Sequence, residues 1–199
     1  MGVPIVSNDR VQELELYRIK SASTTIHLAR LWFPKSNDRK CLFDLINYVG
    51  MEAMKLSHEK ADVIVFGCTS GSFFGGLDFN KRLRIIEDET GIPATTTCTA
   101  MISALEYLKA KKLTIVSPYQ EWLNLIEKKF FEDNGFTVMK VKSLGCVTAE
   151  DMTAVRPTDV VESAKDPRSL DPEAIPISCT SLRALVRSNN FTSRWASTS

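Results

Sequence analysis

Cys68 and Cys179 each open the same short run, Cys-Thr-Ser, and each follows a stretch that reads as a strand, Val63–Phe66 and Ala174–Ser178. A side chain at the carboxyl end of a parallel strand points into the crevice where open α/β sheets bind ligands. Two thiols facing one another across such a crevice support two kinds of chemistry. They can remove a proton from one side of a planar carbon and return it on the other. Alternatively, one sulfur can add to an activated double bond while the other manages protons. Either route needs a thiolate, so backbone dipoles or a nearby cation are expected to lower a thiol pKa. After Cys68 come Thr69, Ser70, Gly71 and Ser72, with Gly75 and Gly76 beyond. Small residues in that place leave backbone N–H groups uncovered, which suits a carboxylate.

Several function classes are excluded by composition. The 199 residues are 44% hydrophobic and 25% charged, with a net charge of +1. That is the ordinary globular mix, without the basic field that nucleic acid requires. No apolar run is long enough to span a membrane, and the N-terminus lacks a signal pattern. Five cysteines without a CxxC or a close Cys/His pairing argue against a zinc site and a disulfide framework. Unpaired thiols fit a reducing cytoplasm. Cys41, Cys98 and Cys146 read as packed thiols, and His27 as a packed strand histidine.

The elements that would position the two cysteines alternate between strand and helix, the pattern of an α/β protein with mainly parallel sheets. A first strand within residues 1–8 precedes a helix over Asp9–Ile19 capped by Asn8 or Asp9. Thr24–Phe33 reads as a strand and Cys41–Leu56 as a helix. After the Cys68 strand, a helix spans Asp78–Thr90 and stops at Gly91. Ile92–Thr99 reads as a strand, Ala100–Lys109 as a helix and Leu113–Val116 as a strand. Glu121–Asn134 is an amphipathic helix expected to turn Trp122, Leu125, Ile126, Phe130 and Phe131 inward, ended by Gly135. Phe136–Val141 is a strand, Ser143–Thr148 a loop and Asp159–Ala164 a weaker helix. The repeated Cys-Thr-Ser suggests two similar halves, residues 1–92 and 93–182, with 183–199 returning to the first.

The motifs FGCTSGSFFGG, GIPATTTCTAMISAL, TIVSPY, GFTVMKVKSLG and ISCTSLR occur in this order and cover most of the chain. Together they resemble the Asp/Glu racemase superfamily and, within it, the maleate cis-trans isomerase and arylmalonate decarboxylase group. The resemblance implies two α/β lobes related by a pseudo-twofold axis, with a cofactor-independent and metal-free active site between them. It implies Cys68 as nucleophile and Cys179 as acid/base partner. Tyr119 is implied to bond a substrate carboxylate or enolate. Thr69, Ser70, Thr99 and Thr180 are implied to hold carboxylates, and Asn8 to be the asparagine of the first strand-end loop. A small carboxylate substrate and a homodimer follow from the same likeness.

Decarboxylases of this group carry a glycine where Cys68 stands, so two cysteines favour isomerisation of a maleate-like dicarboxylate. An Asp/Glu- or hydantoin-type racemase is the alternative. Two departures from the pattern stand out. After Leu144-Gly145 the chain reads Cys-Val-Thr-Ala, where maleate isomerases place an asparagine, and Thr148 is the nearest polar replacement. The 16 residues Ala184–Ser199 are also too few for the family's closing elements. That shortening raises a third expectation, a catalytically impaired paralogue.

Overall fold

The computed structural model describes residues 1–33, 38–74, 84–165 and 171–185. The readings for Gly75, Gly76, the helix start at Asp78 and everything from residue 186 onward lie outside them. The first sheet has four parallel strands in the order β2-β1-β3-β4: β1 (Gly2–Val6), β2 (His27–Leu31), β3 (Ile64–Phe66) and β4 (Ala94–Thr96). Every residue of β1 is buried, as a central parallel strand covered on both faces must be. Parallel pairing requires crossovers. These are α1 (Gln12–Ile19), α2 (Arg39–His58), and the stretch carrying α3 (Thr69–Phe74) and α4 (Arg84–Thr90). Gly91 ends α4 at φ +67°, the left-handed conformation expected of a C-cap glycine.

The second sheet pairs β5 (Lys112–Ser117) with β6 (Thr137–Ser143) in parallel, crossed by α6 (Glu121–Asp133). Between the sheets runs α5 (Thr97–Tyr107), and after β6 come α7 (Ala149–Ala154) and α8 (Pro157–Ala164).

Three local expectations are corrected, and one helix is added. Ala94–Thr96 pairs with β3, so the strand assigned to the opening of the second half belongs to the first sheet. The helix after it starts at Thr97, not Ala100, because the Thr96 side chain accepts the Thr99 N–H as an N-cap. Ala174–Ser178 lies along β5 only as isolated bridges at Ala174 and Ile177, since Pro176 has no N–H to extend the ladder. A short helix, α7, occupies the stretch just after Thr148.

One hydrophobic core runs through both sheets, joining Ile64 and Phe66 of the first to Leu113 and Ile115 of the second. The join is made where α3 packs on α6. The Phe73 ring meets Tyr119 edge-on at 5.8 Å, and Phe74 meets Trp122 at 6.4 Å. Offset and edge-on aromatic pairs add to what burial alone contributes. No helix among the described residues is long and apolar enough to cross a membrane.

Candidate active site

The strand ends of the two sheets meet around one small cavity of about 40 Å³, room for roughly three water molecules. Seven of the eight residues singled out from the sequence line it: Asn8, Cys68, Thr69, Ser70, Tyr119, Cys179 and Thr180. The eighth, Thr99, is not among the lining residues. It sits in the first turn of α5, paired with Thr96 through their hydroxyls at 3.0 Å.

Cys68 follows β3 closely, one residue after Gly67, which bridges to Ile5. A Cβ at Gly67 would stand 2.5 Å from the Gln12 side-chain amide, so any other residue here must push that buried amide aside. The expected open loop after Cys68 is instead the helix α3. Ser72 N–H and Oγ both bond the Cys68 carbonyl, and Gly71 N–H donates to Cys68 Sγ at 3.4 Å. Ser70 Oγ lies 3.7 Å from the same sulfur.

Cys179 has φ +80°, in the left-handed region that a residue with a Cβ rarely occupies. The strain is held by neighbours. Thr180 and Ser181 donate their hydroxyls to Asp9 Oδ2 at 3.2 and 2.9 Å. Asp9 Oδ1 accepts the Val11 and Gln12 N–H groups, both at 2.8 Å. Those two bonds explain why α1 begins at Gln12 and not at Asp9. A carboxylate read from sequence as a helix cap thus also ties the two cysteine-bearing halves together. Glu15 adds a second tie, accepting the Leu185 N–H at 3.2 Å.

Tyr119 reaches the cavity from the turn after β5, its hydroxyl close enough to Cys179 for each to influence the other's ionisation. Its backbone is fixed on three sides. Tyr119 N–H donates to Ser117 Oγ at 3.2 Å, and its carbonyl accepts Asn124 Nδ2 at 2.8 Å and Ser143 Oγ at 2.6 Å.

The remaining walls include apolar residues that were not legible as site residues: Val6, Phe33, Ala149 and Met152. Met152 Sδ lies 3.8 Å from Cys179 Sγ. Thr148, the expected polar replacement, is occupied as the N-cap of α7 in a reciprocal capping box with Asp151. It does not line the cavity.

Cys98 is buried and donates to the Thr69 carbonyl at 3.5 Å, and Cys41 and Cys146 lie outside the cavity. His27 stands beside Glu59, Nδ1 to Oε2 at 3.6 Å. Among the described residues no cluster of three or more His, Cys, Asp or Glu is placed to hold a metal ion.

The expectation of lowered thiol pKa values is reversed. Burial raises Cys68, with the Gly71 N–H and the Ser70 hydroxyl pulling back and the Asp9 charge adding to the rise. Burial pushes Cys179 up to about 12, opposed by the Ser181 N–H and the Tyr119 hydroxyl. Thiolate is the alkylated form, so reaction with iodoacetamide should be slow at pH 7 and gain almost tenfold per pH unit into the alkaline range. Mass spectrometry of the Cys68 and Cys179 peptides reads this directly; a plateau reached by pH 7 would contradict it.

Residues 35–197 match the family model of arylmalonate decarboxylase, Amdase. The chain belongs to this family. Within it, the sequence is 26% identical over 156 residues to a maleate isomerase of Pseudomonas putida, covering 72% of this chain and 62% of that protein. It is 28% identical over 119 residues to an arylmalonate decarboxylase of Bordetella bronchiseptica, covering 59% of this chain and 50% of that one. The chain therefore spans about half to three-fifths of the length of these relatives. The Amdase fold is shared with a cysteine-to-serine mutant of the Nocardia farcinica maleate cis-trans isomerase carrying a covalently bound succinylcysteine intermediate. That match has a TM-score of 0.89 at 16% identity, over 98% of this chain and 84% of the other. An arylmalonate decarboxylase structure matches at 0.81 and 22% identity, over 98% and 84%.

Proposed function

We propose that the protein isomerises a small unsaturated dicarboxylate, in the manner of maleate to fumarate, by covalent addition through Cys68. The observation that carries this reading is the convergence of Cys68, Cys179 and Tyr119 on one small cavity. The reactive form is the Cys68 thiolate, a minor species at neutral pH because burial raises the thiol. It forms a C–S bond to one alkene carbon, and the electron pair moves onto the adjacent carbon and its carboxylate. Cys179, neutral at rest, delivers its proton to that carbon. The former double bond, now single, rotates. Cys179 thiolate then takes a proton back from the same carbon, the C–S bond breaks, and Cys68 is again a thiolate. No atom or electron is gained or lost, and no other reactant enters.

Each of the other groups has a place in this scheme. The Gly71 N–H and the Ser70 hydroxyl support the Cys68 thiolate. Tyr119 stands where a donor would meet the developing enolate. The maleate isomerase relatives and the succinylcysteine found in the Nocardia farcinica protein support the same chemistry.

Proton NMR of maleate incubated with the protein in heavy water tests the proposal, with fumarate as the expected product. Deuterium entering the α-carbon of aspartate or glutamate, with no fumarate formed, would replace it by the racemase reading. Silence on both from folded protein would favour a carboxylate-binding protein without turnover.

A further inference from the structure

Helix α6 turns an unexpected face to the core. Leu125, expected inside, is 60% exposed, while Glu127 has no exposed surface. The buried residues are Leu123, Asn124, Glu127, Phe130 and Phe131. Asn124 is fully employed, accepting Ser117 Oγ at 2.7 Å and donating to the Tyr119 carbonyl. Glu127, one turn on, is not. Neither of its carboxyl oxygens has a hydrogen-bond partner, and neither has the hydroxyl of Ser178.

Glu127 does not line the cavity, but the residues it faces lead to it. Its carboxyl faces Ser178 and Ser117. Ser117 holds the Tyr119 N–H, and Ser178 immediately precedes Cys179. Tyr119 from the β5 turn and Cys98 from α5 lie close enough for a charge on Glu127 to oppose their ionisation. No basic side chain among the described residues contributes to its electrostatics. An unpaired carboxylate is among the costliest groups to enclose, and an apolar residue of similar volume would stabilise the core better. Where a core breaks its own rule in this way beside a site, function is the usual reason. Burial raises the carboxyl to about 7, with the Ser178 and Ser117 hydroxyls pulling it down.

We propose that Glu127 is a positioning residue for Tyr119: as a neutral acid against Ser117 and Ser178 it leaves the surroundings of Tyr119 uncharged, and on ionising it opposes the negative charge that Tyr119 must stabilise. Only the kinetic arm of the test rests on the proposed isomerisation.

The protein, labelled with ¹³C at glutamate Cδ and tyrosine Cζ, is titrated by NMR from pH 5.5 to 9 alongside Glu127→Gln. The expected result is one glutamate carbon titrating near neutral pH, with Tyr119 Cζ shifting at the same midpoint, both lost in E127Q. Absence of a near-neutral glutamate, or a Tyr119 shift that persists in E127Q, overturns the proposal whether or not maleate is a substrate. If E127Q does not fold, the coincidence of the two wild-type midpoints decides. In the kinetic arm, kcat for maleate should rise with pH as the Cys68 thiolate fraction grows, and that rise should flatten above the Glu127 midpoint in the wild type. In E127Q the rise should continue without that break. A purely structural role would lower the rate at every pH and leave the profile's shape unchanged, and that result would also overturn it.

Discussion

Cys68→Ser is expected to lower maleate turnover by roughly 10⁴-fold or more, the scale seen when a covalent nucleophile is removed. Serine in this place has no base to activate it. Ser70 Oγ and the Gly71 N–H aim at the sulfur as a pair of donors and would leave a hydroxyl protonated. Cys179→Ser should cost roughly 10²–10⁴-fold, the scale of a lost general acid/base. It should also behave differently in kind. Water must then supply the proton that Cys179 would have delivered, nothing retrieves that proton, and the peptide carrying Cys68 gains the mass of one maleic acid. Intact-protein and peptide mass spectrometry distinguish the two variants. An adduct on Cys179 in the wild type, or Cys68→Ser retaining even a tenth of the rate, would sink the assignment of roles.

The second large effect concerns stability. Asp9 is 2% exposed and holds four hydrogen bonds, two from backbone N–H groups and two from hydroxyls on the far side of the cavity. Asp9→Ala removes the acceptor for the Val11 and Gln12 N–H groups and strands the buried Ser181 hydroxyl and the part-buried Thr180 hydroxyl, a loss of roughly 3 kcal/mol. In a chain of this size, that is a drop in Tm of about 10 °C. Asp9→Asn keeps an acceptor for Val11 and Gln12 and can donate to Thr180 and Ser181, so it should recover about half of the loss. It also removes the charge that raises both thiols. Alkylation of Cys68 and Cys179 should therefore speed up in the Asp9→Asn variant wherever it remains folded at the assay temperature. Urea unfolding gives the first result, and a loss below about 1 kcal/mol for Asp9→Ala would show that the tie is slack.

These two predictions sit at opposite ends of what the sequence makes legible. Cys68 and Cys179 announce themselves because a buried strand followed by Cys-Thr-Ser is a local pattern, and strand ends in parallel sheets have a fixed relation to the crevice. Asp9 carries the same information for its own helix, but its partners Thr180 and Ser181 lie at the far end of the chain, and no local signal marks such a contact. The apolar wall was hidden for a related reason. Ala149 and Met152 look like ordinary helix residues until the Thr148 cap fixes which way α7 starts. In α6, periodicity misled: Leu125 fits the apolar stripe, yet the face that packs carries Asn124 and Glu127, since tertiary contacts override an amphipathic count. Between β4 and α5 the boundary was misplaced through β-branched content, as Thr96 suggests strand by type and caps a helix by hydrogen bonding.

The backbone at Cys179 sets this protein's fold against its own chemistry. A non-glycine residue at φ +80° costs roughly 1–2 kcal/mol, and glycine would adopt the same turn without strain. A single drift from cysteine to glycine there would relieve that strain while deleting the proposed proton carrier. Selection for persistence alone therefore favours a silent protein, and the sulfur endures only while turnover is itself under selection. Stability screens of random variants should for that reason enrich glycine at this position, with catalysis as the casualty.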